Sequence, residues 1–125
     1  MMKYEWFEAY CLGKAGVTKD YSSDWDATRY FVGGKYFALT AQLKDRPIAT
    51  LKNDPSNGDF LRQHYEDIVP GYYANKMHWS TVFLDGDVPD GVLKDMIDEA
   101  YTLVFEKLTK KVQKEIMETH ESMKH

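Results

Sequence analysis

Two short stretches of this 125-residue chain interleave aromatic and basic side chains: Lys35-Tyr36-Phe37 and Tyr72-Tyr73-Ala74-Asn75-Lys76-Met77-His78-Trp79. Flat rings offer stacking faces and ammonium groups offer contacts to phosphate, so such interleaving is the chemistry of a nucleic-acid surface. The two faces of an amphipathic strand give the same pattern; on that reading Trp79 is core and His78 hydrogen-bonds a loop carbonyl. Other chemistry has less to stand on. No G-x-S-x-G, Walker loop, G-x-G-x-x-G or H-E-x-x-H run occurs. His64, His78, His120 and His125 lack metal-ligand spacing. Cys11, the single cysteine, excludes an internal disulfide or a multi-cysteine zinc site. It falls among apolar helix positions, where a buried, inert thiol is expected. The run Asp85-Gly86-Asp87-Val88-Pro89-Asp90-Gly91 superficially matches a calcium loop. However, Pro89 takes a ligand position, and Met96 stands where a bidentate glutamate is required. Gly33-Gly34 precedes no helix, so no helix N-terminus completes a phosphate cradle there. No catalytic residue, metal or cofactor is expected.

The elements that position these side chains follow from periodicity. Phe7, Tyr10 and Cys11, with Trp6, recur at helical spacing over residues 3–14, with Glu5 and Glu8 near the favourable N-terminal end. The polar run 18–26 reads as a loop. Residues 28–32 and 35–43 flank Gly33-Gly34, a hairpin signature because primed two-residue turns require positive φ. Pairing Val32 with Lys35 sets Phe31 against Tyr36, Tyr30 against Phe37, Arg29 against Ala38 and Thr28 against Leu39. Apolar groups then fall on both faces. Lys44-Asp45-Arg46-Pro47 reads as a turn, and Ile48 to Lys52 as a third strand.

Asp54-Pro55 marks a helix start, with the helix running to about Tyr65 and burying Phe60, Leu61 and His64. Pro70-Gly71 breaks the chain, residues 72–84 supply one or two strands, and Asp85 to Asp90 turn into a final helix. Its stripe of Leu93, Met96, Ile97, Ala100, Val104 and Leu108 continues through Val112, Ile116 and Met123. One helix from Pro89 to Met123 would be about 50 Å long. A domain of this size has a radius of gyration of about 14 Å. Either the helix breaks near Thr109, or a Lys- and Glu-rich tail projects toward a partner. The order α-β-β-β-α-β-β-α predicts an α+β two-layer sandwich, with an antiparallel sheet of about five strands and helices on one face.

Hydrophobic residues make up 43%, aromatics 14% and charged residues 29%, the profile of one soluble globular domain. No apolar run approaches a membrane span, and the N-terminus lacks a signal-peptide core, so a cytoplasmic location is expected. The formal charge of −4 argues against an obvious nucleic-acid binder, yet residues 27–82 are net +2 while residues 83–106 are net −6. Four phosphate contacts would give a salt slope of about −3.6 on duplex DNA, which is weak, salt-sensitive binding. A monomer or weak dimer is expected.

The most specific run is Asn75-Lys76-Met77-His78-Trp79-Ser80-Thr81-Val82, continuing to Leu84-Asp85-Gly86 and Pro89. Together with Val32-Gly33-Gly34-Lys35, Phe37-Ala38, Arg46-Pro47, Leu51-Lys52, Asp54-Pro55 and Val69-Pro70-Gly71-Tyr72, it resembles the MmcQ/YjbR family of small bacterial proteins. The resemblance runs from the Gly16 to Tyr21 stretch to about Leu108. It implies a two-layer α/β fold related to secretion chaperones and, loosely, to the frataxin-like group. It also implies the label of a DNA-binding protein, resting on a double-wing likeness, and brings no catalytic residues. Carried onto this chain, it marks Lys35, Arg46, Lys52, Lys76, His78 and Trp79 as the candidate DNA surface. Met77 and Tyr73 stand where many relatives carry a basic residue and a histidine. The chain thus divides into a domain over 1–108 and a charged helical tail over 109–125. The alternative function is a protein-interaction or chaperone-like adaptor using the sheet or the tail. A small-molecule site would instead show as a deep pocket lined by Lys52, His78 and Trp79.

Overall fold

The computed structural model describes residues 3–71 and 75–123. Tyr72, Tyr73 and Ala74 of the second aromatic stretch, and His125, lie outside the described residues, as does the side chain of Met123. Among the described residues four helices and six strands follow in the order α1 (Phe7–Leu12), β1 (Val17–Ser22), β2 (Ala27–Val32), β3 (Lys35–Leu43), β4 (Arg46–Lys52), α2 (Pro55–His64), β5 (Ile68–Pro70), β6 (Trp79–Phe83), α3 (Asp90–Phe105) and α4 (Lys110–Met123). All neighbours in the sheet are antiparallel, in the spatial order β1-β2-β3-β4-β6-β5. The fold is α+β, with one strand more than the five or so expected.

Two strands were not read from sequence: β5, which ends at the Pro70 where the chain was expected to break, and β1, read from sequence as loop. Its residues are mostly exposed, as befits an outer strand, so no hydrophobic alternation marks it. Side-chain charge joins it to its neighbours instead. Arg29 grips Asp20, its register partner, at 3.0 and 2.9 Å, and Lys19 pairs with Glu8 of α1 at 2.7 Å. At the other edge, β5 is only three residues long.

The hairpin turns at Gly33 and Gly34, with φ of 59° and 83°, and pairs Val32 with Lys35 and Phe31 with Tyr36 as expected. The register then slips. A bulge at Phe37 sets Tyr30 against Ala38, Arg29 against Leu39 and Thr28 against Thr40. Phe37 and Ala38 both enter the helix-covered core, and Leu39 falls with Ile48 and Thr50 on the opposite side. Leu39, Ile48, Thr50 and Thr81 are fully buried, so that side is covered too. The Thr50 and Thr81 hydroxyls satisfy each other at 2.7 Å.

Helix α3 lies on β3 and β4 through Leu93, Ile97, Ala100 and Val104. It is tied to the N-terminal segment by the Tyr101 hydroxyl donating to Ala15 O and the Tyr10 hydroxyl donating to Asp98. In α2, Asp54 caps as expected, accepting from Ser56 N and Asn57 N, and Leu61 is buried. Phe60 and His64 correct the sequence reading: both are exposed and stack on each other, leaving the core side of α2 to Leu61 and Gly58.

The long apolar stripe breaks between Phe105 and Lys110. The Thr109 hydroxyl accepts from Val112 N, and Gln113 Nε2 donates to the carbonyls of Glu106 and Leu108, closing one helix end and opening the next. Helix α4 then folds back. Ile116 rests on Gly16 and Leu108 on Gly33; a Cβ at either glycine would meet them at 2.7 and 2.6 Å.

Candidate functional site

The Gly33-Gly34 turn delivers Lys35 to one end of the sheet. At the same end β4 finishes with Lys52, and α3 has just ended before Lys107. These three amines, with Gly34, Tyr36 and Val104, line a cleft of about 450 Å³. Among the described residues no carboxylate lines it, and none of the three lysines makes an ion pair. Lys52 is half-buried while Lys35 and Lys107 are exposed. Burial first, and then the charges of Lys107 and Lys35, hold the Lys52 ammonium below its usual value. An anion entering the cleft relieves that repulsion.

Aromatic rings adjoin the cleft. Trp79 is the register partner of Lys52, and the Lys52 Nζ lies 5.8 Å from its ring centre. Tyr36 lies 5.2 Å from Trp79 at an interplanar angle of 34°, and meets Phe31 and Trp25 edge-on, each at 6.1 Å. Arg29 sits over Trp25 and Phe31 at 5.4 and 5.2 Å. The row Trp25, Phe31, Tyr36, Trp79 therefore crosses from β2 to β6 with a cation at each end.

Of the six positions marked from sequence, Lys35, Lys52 and Trp79 come together here. Lys76 and His78 are exposed on the turn leading into β6; His78 is neither core nor a cleft wall. Asn53 holds that turn: its backbone N donates to His78 O at 2.8 Å, and its Nδ2 to Met77 O at 3.3 Å. The Ser80 hydroxyl donates to Asn53 Oδ1 at 2.6 Å, and Arg62 donates to Ser80 Oγ at 2.9 Å. Asn53 is itself buried.

Arg46 lies apart, at the opposite end of β4. Its guanidinium bonds the Asp85 carboxylate at 2.7 to 3.2 Å and covers the Phe83 ring at 3.8 Å. The contact holds the Asp85 carboxyl below its ordinary range. The Asp85 to Asp90 turn is an ion-paired corner, with Asp87 on Lys3 at 2.8 Å. Among the described residues no three His, Cys, Asp or Glu side chains gather as a metal group. None of their helices is long and apolar enough to cross a membrane.

Lys107 and Asn53 were not singled out from sequence. Lys107 reads as an ordinary cation at a helix C-terminus, and only the return of α3 across the sheet brings it beside Lys52. Asn53 precedes a capping aspartate, and nothing local announces its bonds to a turn more than twenty residues away.

The chain matches the YjbR family over residues 12–103. It is 38% identical over 92 residues to the uncharacterized protein YjbR of Escherichia coli (strain K12), covering 74% of this chain and 78% of that one. The uncharacterized protein YbdF of Escherichia coli O157:H7 is 36% identical over 85 residues, covering 68% and 70%. The crystal structure of the Deinococcus radiodurans protein DR2400, a DUF419 domain, superposes with a TM-score of 0.82 at 34% identity, covering 93% of this chain and 88% of that one. A Pseudomonas syringae protein of known crystal structure shares the fold at a TM-score of 0.72 and 23% identity, over 82% of this chain and 98% of that one. The matched span, the identities and the superposition agree: the chain belongs to the YjbR family of small bacterial proteins.

Proposed function

We propose that this chain is a non-enzymatic cytoplasmic protein that binds DNA weakly, as a monomer or weak dimer. In this reading Lys35, Lys52 and Lys107 contact phosphate, Tyr36 and Trp79 offer rings to bases, and Lys76 and His78 stand at the rim. The observation that supports it is the convergence of three lysines, free of ion pairs among the described residues, on one cleft beside an aromatic row. Stacking needs unpaired bases, so single-stranded DNA suits the rings better than duplex. With three phosphate contacts the affinity should fall with salt at a log–log slope of about −2 on single strands.

Fluorescence anisotropy of a labelled single-stranded oligonucleotide across salt concentrations tests this. Lys52→Ala with Lys107→Ala should remove binding, and Arg46→Ala should leave it in place. Absence of binding at low salt, or binding indifferent to the double variant, overturns the reading. The adaptor alternative has less support on its tail side, because Leu108 and Ile116 already pack against Gly33 and Gly16.

A further inference from the structure

We infer that the cleft between the Gly33-Gly34 turn and the end of α3 holds small phosphorylated aldehydes, with the Lys52 amine joining their carbonyl carbon as a reversible imine. An imine-forming lysine must be reachable, and neutral often enough to attack. Lys52 lines an open cleft of about 450 Å³, within the range of small-ligand sites. Every charged group lining that cleft is cationic: Lys35 from β3 and Lys107 beyond α3 flank Lys52, and Gly34, Tyr36 and Val104 complete the wall. Burial and these two charges favour the neutral amine, the two devices by which a lysine is made nucleophilic. Four other lysines sit on carboxylates instead: Lys3 on Asp87, Lys14 on Asp98, Lys19 on Glu8 and Lys114 on Glu118.

The flanking pair supplies the second half of the recognition. Lys35 and Lys107, both exposed, are placed to grip a phosphate dianion, while Tyr36 forms a flat side of the cleft. The chemistry balances without a further reactant. The Lys52 Nζ lone pair forms a bond to the carbonyl carbon as the C=O π bond breaks, and one amine proton passes to the oxygen to give a carbinolamine. That intermediate loses one water as the C=N bond forms. Nothing is oxidised or reduced, and water reverses the step. This inference does not rest on DNA binding; a chain that bound no DNA could still form the imine.

Pyridoxal 5′-phosphate serves as the probe on the full chain, with borohydride reduction to trap the imine and peptide mass mapping to locate it. Lys52 is expected to be the first lysine labelled, at several-fold higher occupancy than any other, with inorganic phosphate protecting it. Pyridoxal, which lacks the phosphate, should label Lys52 several-fold less. Lys35→Gln with Lys107→Gln should bring the two reagents to the same level while leaving Lys52 present, and Lys52→Arg should remove the label. Labelling spread evenly over the lysines, or concentrated elsewhere, overturns the inference. Equal labelling of wild-type Lys52 by the two reagents overturns it as well. The wild-type comparison requires no substitution, so it decides the matter even where a variant misfolds.

Discussion

Lys52 and Trp79 stand opposite each other across β4 and β6, with the ammonium nitrogen 5.8 Å from the centre of the indole ring. Trp79 in turn leans on Tyr36 at 5.2 Å, so the cation and the two half-buried rings form one unit. Replacing the indole by an aliphatic group should leave the charge and remove a stacking face. Trp79→Leu is expected to weaken binding of a single-stranded oligonucleotide by about 1–3 kcal/mol while leaving the salt slope near its wild-type value. Anisotropy titrations at several salt concentrations separate the two quantities. A changed slope with unchanged affinity at low salt would count against stacking.

Arg46 should behave in the opposite way. Its charge is engaged by Asp85 and its plane by Phe83, so Arg46→Ala should leave oligonucleotide binding unchanged and lower resistance to urea. The pH dependence has a definite sign. Asp85 is held below its ordinary value of 3.8 in the folded chain, first by its hydrogen bond from Arg46. Its contribution is therefore present above the ordinary aspartate value and is lost as pH falls through the lowered one. The urea midpoints of wild type and Arg46→Ala should differ near neutrality and draw closer in acid, the remainder being the lost cover on Phe83.

The two turn glycines should differ in what they tolerate. Both have positive φ, so an alanine at either strains the backbone by about 1–3 kcal/mol. At Gly34 the new methyl meets open space, whereas at Gly33 it would lie 2.6 Å from Leu108. Denaturant melts should show Gly33→Ala as the more costly change. Leu108→Ala should be better tolerated in the Gly33→Ala background than alone, a positive coupling that a double-mutant cycle measures.

Asn53→Ala should cost about 1–3 kcal/mol, because it leaves the Ser80 hydroxyl and the Met77 carbonyl without their amide partner. Faster hydrogen exchange at the Asn53 and His78 amides, with the α3 amides unaffected, would show that the turn before Trp79 has loosened. Uniform acceleration across the sheet would show general destabilisation instead.

Cys11 is fully buried on α1, and that burial pushes its thiol up to about 12. The folded protein should therefore be inert to an aromatic disulfide reagent at mildly alkaline pH and react fully once unfolded. Rapid reaction of the native chain would contradict the packing of α1 on the sheet.

Much of this was legible in the residues. Gly33-Gly34 marked the hairpin, Asp54-Pro55 marked the start of α2, and the mismatch between a helix of about 50 Å and a small domain left two outcomes, a break near Thr109 or a projecting tail, of which the structure shows the break. What was not legible has physical causes. An outer strand such as β1, solvated on most of its residues, shows no alternation. Arg46 looks like any other cation until Asp85 is brought beside it by the pairing of β4 with β6. Lys107 joins Lys35 and Lys52 only through the crossing of α3, a contact with no local trace. Phe60 and His64 had the spacing for burial, but the side of α2 facing the sheet is set by Leu61 and Gly58.

The bulge at Phe37 divides β3 into two phases of alternation. Tyr36 looks toward Trp79 before it, and Leu39 looks the same way after it, three residues on instead of two or four. Substitutions along the strand alter one side chain on one face. A single-residue deletion between Tyr36 and Leu39 would restore plain alternation and keep Leu39 on its present side, at the loss of one of the two core side chains, Phe37 or Ala38, that the bulge places toward α3. The bulge therefore lets one strand give two consecutive side chains to the core without turning any later residue to the other face.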